Sequence, residues 1–129
     1  MDLDGTPGLG GRVVVLDGSR LAGQRDWRGL ADVVLLTCAK DAHGAVLLDV
    51  RGAAFTPTAR EVDVLSSALA GCSLVAIASD GNASYGCARM VAMTVELRGS
   101  RAAAFQDEAR AWMWLEEWLG AEQGKGEVR

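Results

Sequence analysis

Hydroxyl, carboxylate and guanidinium side chains collect in two short segments, each directly after an apolar run of the chain. In open α/β sheets, ligands bind outside the carboxyl ends of the parallel strands. The free N–H groups and the dipole at a helix start also favour an anion there. The sequence therefore predicts a candidate ligand or partner site at the following residues: Thr56, Thr58, Asp80, Ser84, Tyr85 and Arg89.

Two threonines flank Pro57 in the first of these segments. Threonine followed by proline is a helix-start signature, which predicts Thr56 as the cap and Pro57 as the first helical residue. Capping is the simplest role for both Thr56 and Thr58. The alternative is phosphorylation of Thr56 or Thr58, because a phosphate at a helix start is stabilised locally and alters a docking surface.

Arg89 closes the second segment, one helical turn after Tyr85. Two roles are open for its guanidinium. It is expected either to be an ordinary surface arginine or to bond loop carbonyls or Asp80.

Known catalytic patterns are absent from the sequence. Gly81 and Gly86 have the glycine spacing of a phosphate-binding loop, but Cys87-Ala88 replaces the required Lys-Ser/Thr pair. His43 is the single histidine and no G-x-S-x-G elbow occurs, so a nucleophilic serine would lack a partner base. The sequence predicts no catalytic residue, no cofactor and no metal ligand, and the chain is expected not to be an enzyme.

Composition argues against several classes of partner. The 129 residues carry a formal net charge of -4 at pH 7, and no cluster of lysine or arginine offsets it. Nucleic acid and anionic membrane are therefore not expected partners, and no apolar run approaches the ~20 residues that span a bilayer. Cys38, Cys72 and Cys87 form no C-x-x-C pair and lie in or beside apolar segments. Reduced, buried thiols in the cytoplasm are the expected state.

The elements that must hold these residues alternate between strand and helix. Apolar runs predict strands at residues 12–16, 45–50, 74–79 and 101–105. Helical spacing predicts helices that begin near Asp26, at Thr56, near Ala83 and at Asp107, although residues 33–36 also fit a strand. Connections that contain a helix imply parallel strands. We therefore predict an α/β fold with a small, mostly parallel sheet of four or five strands flanked by helices.

The length of the chain indicates one domain. We expect this domain at residues 12–120, after a disordered lead-in at 1–11 and before a frayed polar tail at 121–129.

Two predicted helices have more apolar side chains than one buried face requires. In the third helix, Met90, Met93 and Leu97 widen the apolar stripe, which predicts nearly all-round burial. In the last helix, Trp114 and Trp118 are expected to pack in the core, or alternatively to form the face of a homodimer.

The order and spacing of several motifs resemble those of SpoIIAA-like proteins of the STAS and CRAL-TRIO type. These motifs are a strand ending in D-x-R-G, a Thr-Pro helix start, a Y-G-x-A-R-M-like helix opening and a final F-x-D-x-x-x-A-x-x-W-L. The matching residues are Asp49, Arg51, Gly52, Thr56, Pro57, Tyr85, Gly86, Ala88, Arg89, Met90, Phe105, Asp107, Ala111, Trp114 and Leu115. The resemblance implies a mostly parallel sheet flanked by helices, in small cytoplasmic proteins without known enzymatic activity.

The same resemblance implies a regulatory role. Regulatory relatives bind partner proteins and switch by phosphorylation of a serine in a D-S-[ST]-G-like motif at a helix start. This chain has FTPT at residues 55–58 in that place, with neither the Asp-Ser pair nor the glycine. The first hypothesis is a non-enzymatic binding or regulatory domain that contacts an unknown protein partner through the loops at residues 56–58 and 80–89. The second is a carrier of a small apolar molecule or lipid, with Met90, Met93 and tryptophans around its pocket.

Overall fold

The structure is a computed structural model, which describes residues 13–18, 27–40, 44–52 and 54–128. The strands are β1 (Val13–Asp17), β2 (Ala45–Asp49), β3 (Leu74–Ala78) and β4 (Arg101–Phe105). The helices with bounds in the described residues are α1 (Trp27–Lys40), α2 (Ala59–Leu69), α3 (Asn82–Leu97) and α4 (Glu108–Val128). None of these four helices combines the length and the apolar character that crossing a membrane requires. The predicted lead-in at 1–11 lies outside the described residues.

The four strands form one sheet in the order β1-β2-β3-β4, and every pairing in it is parallel. Parallel neighbours need a crossover connection, and α1, α2 and α3 lie in the three crossovers. The predicted α/β fold with a small parallel sheet is therefore confirmed.

Helices cover both faces of the sheet. Neighbouring residues of a strand point to opposite faces, so Leu47 and Leu48 of β2 enter two different buried clusters. Leu48 shares its cluster with Leu65 of α2 and Val91 of α3, whereas Leu47 shares its cluster with Leu115 of α4. Burial on both sides explains why the central strands of a parallel sheet read as continuous apolar runs.

The start of α2 differs from the prediction. The helix begins at Ala59, because Thr58 is its N-cap. The hydroxyl of Thr58 accepts from the N–H of Glu61 at 3.2 Å, and the Glu61 carboxylate accepts from the N–H of Thr58 at 2.8 Å. This reciprocal capping box satisfies two N–H groups at once. The prediction that Thr56 is the cap is wrong, and the capping role of Thr58 is confirmed.

Residues 27–40 form one helix, α1. The alternative strand at residues 33–36 is therefore wrong.

Glycines with positive φ lie at both ends of α3. Gly81 is the N-cap with φ of 77°, and Gly99 follows the end of the helix with φ of 107°, a backbone region that other residues rarely adopt. Met90, Met93 and Leu97 on the outer face of α3 are 54%, 59% and 86% exposed. The prediction of nearly all-round burial is wrong, because α3 covers the sheet with one face and no described element covers the other.

The cysteines differ in state. Cys72 is buried and disulfide-bonded, whereas Cys87 has a free thiol. The prediction of reduced, buried thiols is therefore wrong at Cys72, which is bonded, and Cys87 has a free thiol that is half-buried. The side chain of Cys38 lies outside the described part of the chain.

Truncation of one buried leucine tests the assignment of the core. Leu65→Ala in α2 is expected to lower the free energy of unfolding by about 2–5 kcal/mol, because it leaves a cavity against the sheet. Leu36 is also helical but 68% exposed, so Leu36→Ala is the matched control with an expected change within about 0.5 kcal/mol. Urea unfolding followed by tryptophan fluorescence measures both variants. Equal losses would contradict the assignment.

Candidate functional site

An aspartate stands at the carboxyl end of every strand. Asp17 and Asp49 are the last residues of β1 and β2, and Asp80 and Asp107 follow the ends of β3 and β4 by two residues. Because the strands are parallel, the four aspartates lie at the same edge of the sheet, where ligands of such folds bind. We call this edge, with the loops after β2, β3 and β4, the carboxyl edge.

Arg51 joins two elements at the carboxyl edge. Its Nε donates to Oδ1 of Asp49 at 2.9 Å, and its Nη2 donates to Oδ2 of Asp49 at 2.8 Å. The same Nη2 donates to Oε1 of Glu108 at 2.8 Å. Forked, charge-assisted bonds of this kind are strong and directional. Arg51 therefore ties the end of β2 to the first turn of α4.

These contacts determine the charge of Asp49 and Arg51. Partial burial raises the pKa of Asp49, but the hydrogen bonds and the positive charge of Arg51 together outweigh burial, so this pKa lies below its ordinary value. The hydrogen bond to Asp49, with the charges of Asp49 and Glu108, raises the pKa of Arg51. Both groups are therefore charged at neutral pH and bonded to each other.

The first turn of α4 is fixed by two further bonds. Oδ1 of Asp107 accepts from the N–H of Arg110 at 2.7 Å, which confirms the predicted cap of the last helix. Oε2 of Glu108 accepts from Nε1 of Trp112 at 3.2 Å. The acidic side chains at this helix start are thus used to position α4.

Phe55 anchors the loop between β2 and α2. Its side chain is fully buried, and its ring meets the ring of Trp27 edge-on with 4.9 Å between centroids. The N–H of Phe55 donates to Oγ of Ser84 at 3.1 Å, in the first turn of α3. The loop is therefore attached to both α1 and α3.

Asp80 holds the same loop nearer to β2. The N–H of Gly52 lies 3.3 and 3.2 Å from the two carboxylate oxygens of Asp80. The structure thus brings together two of the predicted site residues, Asp80 and Ser84, and both bind the backbone of the loop after β2. Asp80 is exposed, whereas Ser84 is 8% exposed.

The two threonines have different surroundings. The hydroxyl of Thr58 is engaged in the capping box. The hydroxyl of Thr56 makes one long hydrogen bond, 3.5 Å to the carbonyl oxygen of Ala54. Both residues are exposed, so Thr56 presents the less engaged hydroxyl on the anchored loop.

Tyr85 and Arg89 lie on the side of α3 that faces β4. The guanidinium carbon of Arg89 is 6.0 Å from the centre of the Tyr85 ring, and both residues line a groove with Ala103 of β4. Within the described residues, Arg89 forms no ion pair with Asp80, so that role of Arg89 is wrong. Arg89 is an exposed surface arginine.

Residues predicted around an apolar pocket lie in separate places. Met90 and Met93 are on the outer face of α3. Trp114 and Trp118 pack near Phe105 in the cluster on the α4 face of the sheet. Because the sheet lies between the two groups, these methionines and tryptophans do not line one pocket.

Comparison with known proteins gives no assignment for the chain. No protein-family model, no curated protein and no solved structure matches it. The resemblance to SpoIIAA-like proteins stays a prediction from the motifs.

The bond between Arg51 and Glu108 was not predicted from the sequence. Asp49 and Arg51 stand two residues apart at a strand end, and this spacing is a signal for a local ion pair. Glu108 lies 57 residues beyond Arg51. Only the packing of α4 on the sheet brings these two side chains together.

The pKa of Asp49 predicts a contribution to acid sensitivity. A carboxyl whose pKa is lower in the folded chain stabilises the fold above its unfolded pKa of about 4. That contribution is lost as the pH falls through the folded pKa. Asp49→Asn is therefore expected to lower the free energy of unfolding at pH 7 by about 1 kcal/mol. The value is small because water screens the partly exposed pair. The free energy of unfolding of Asp49→Asn is also expected to fall less steeply than that of wild type below about pH 5.

Urea unfolding between pH 3 and pH 7, values chosen to bracket a carboxyl pKa of about 4, measures this effect. Asp32→Asn removes a carboxylate from the exposed surface of α1 and serves as the control. Identical pH profiles for wild type and Asp49→Asn would contradict the stabilising role of the pair.

Proposed function

We propose that the chain is a non-enzymatic binding or regulatory domain that contacts a protein partner through two segments at the carboxyl edge, residues 54–58 and residues 80–89. The observation that carries the proposal is the exposed Thr56 beside the fully buried Phe55. A loop that is fixed before binding loses little conformational entropy when a partner docks. The burial of Phe55 and its bond to Ser84 meet this condition.

The state of the acidic side chains supports a non-enzymatic role. Asp49 is paired with Arg51, Asp80 accepts from Gly52, and Asp107 caps α4. A general acid or base needs a group within reach of a substrate proton and able to exchange it. At the carboxyl edge, these carboxylates are instead bonded to the protein.

Phosphorylation of Thr56 is the proposed switch. A phosphate adds about 1.5 to 2 negative charges at neutral pH, and the Thr56 hydroxyl has only its long bond to Ala54 to lose. Phosphorylation of Thr58 would instead break the capping box of α2. Thr56 is therefore the preferred acceptor, in line with the regulatory role that the resemblance to SpoIIAA-like proteins implies.

Affinity capture from the native lysate tests the proposal with wild type, Thr56→Glu and Ser67→Glu. Ser67 is exposed on α2, so Ser67→Glu adds the same charge away from the loop. The expected result is a protein that wild type and Ser67→Glu capture in equal amounts and Thr56→Glu captures in a clearly different amount. Equal melting temperatures of the two variants would show that unfolding does not cause the difference.

Two results would count against the proposed function. The first is the same set of captured proteins for all three forms of the chain. The second is the capture of no protein by any form, together with no phosphate on Thr56 when the chain is isolated from its native cells.

A further inference from the structure

α3 has two apolar faces, and only one of them packs on the sheet. The buried face consists of Ser84, Ala88, Val91, Ala92 and Val95. The opposite face carries a second row, which we call the outer stripe: Gly86, Met90, Met93 and Leu97. All four members line one shallow depression of the surface, and the three large side chains are each more than half exposed.

The spacing of the outer stripe is that of a seam between two helices. Its members are separated by four, three and four residues, which is the a/d spacing of paired helices. Large exposed apolar patches mark interaction surfaces. No element within the described residues covers the outer stripe.

Gly86 gives an independent reason to expect a close neighbour. A glycine inside a helix costs about 1 kcal/mol relative to alanine. A Cβ at Gly86 would meet nothing within 4 Å, so the packing of the described chain does not require glycine there. Close packing of a large side chain from another helix against this position would require a glycine.

The charges beside the outer stripe can pair with those of a second, identical helix. Arg89 and Glu96 are exposed, lie seven residues apart and line the same groove on the β4 side of α3. When a second α3 packs antiparallel with Met90 opposite Met93, Arg89 of each copy lies next to Glu96 of the other. The pair thus gains two ion pairs, one on each side of a two-fold axis.

The antiparallel arrangement also matches side-chain sizes. Leu97 of the second copy lies opposite Gly86, so the most exposed side chain of the outer stripe packs against the residue that has no side chain. In a parallel pair, Gly86 would face its own copy and Arg89 would face Thr94, which leaves a void and an unpaired charge. We infer that α3 docks antiparallel on α3 of a second copy of this chain, through the outer stripe, to form a two-fold symmetric dimer.

Sedimentation equilibrium of the full chain tests the dimer. Wild type is expected to dimerise reversibly at micromolar concentration, because one helix pair buries a small interface. Met93→Glu places a carboxylate in the seam and is expected to raise the dissociation constant by about tenfold or more. Met113 is also an exposed helical methionine, 67% exposed on α4. Met113→Glu is therefore the matched control and is expected to leave the dissociation constant unchanged.

An exchange of charges tests the antiparallel register. Arg89→Glu alone and Glu96→Arg alone each place like charges together at two contacts, and each is expected to weaken the dimer by about tenfold. An equimolar mixture of the two variants restores opposite charges at both contacts. The mixture is expected to recover the dissociation constant of wild type.

Three results would overturn the inference. A wild-type chain that stays monomeric at every concentration would show that the outer stripe does not pair two copies of the chain. A dimer that Met93→Glu leaves intact would use another surface. Single charge variants whose mixture stays dissociated would exclude the antiparallel register. The test of the proposed function depends on Thr56, which is not part of this interface, so the dimer and the proposed function fail separately.

Discussion

β2 and β3 bury side chains on both faces of the sheet, and the rest of the structure follows from the need to keep both faces out of water. Three helices, α1, α2 and α3, cover one face, and α4 covers the other. Within the described residues, α4 is the helix that covers the second face, so the burial of this face depends on where α4 lies. Arg51 and Glu108 fasten the first turn of α4 to the end of β2.

Because helices cover both faces of the sheet, the carboxyl edge and the outer sides of the helices are the surfaces that remain for function. At the carboxyl edge, most of the acidic side chains bind backbone N–H groups or Arg51. The row of aspartates therefore has the position of a binding site, but its side chains mainly hold the loops in place. The exposed Thr56 and the outer stripe of α3 are two surface features that these contacts do not use.

The sequence predicts the fold well where burial alone decides it. The runs AVLLD and LVAIA have the continuous apolar character of central parallel strands. The start of α2 could not be placed by Pro57, because the capping box of Thr58 and Glu61 is the stronger local signal. The exposed side of α3 could not be predicted, since an apolar row carries no mark of whether the sheet or another chain covers it. The bond of Asp80 to Gly52 and the bond of Arg51 to Glu108 depend on contacts distant in sequence.

Hydrogen exchange of the Phe55 amide tests most directly whether the loop at residues 54–58 is anchored. This N–H donates to the Oγ of Ser84, inside the structure. An anchored loop predicts exchange about a hundredfold or more slower than in an unstructured peptide, close to that of neighbouring helix amides. Exchange at the rate of an unstructured peptide would contradict the preorganised binding surface.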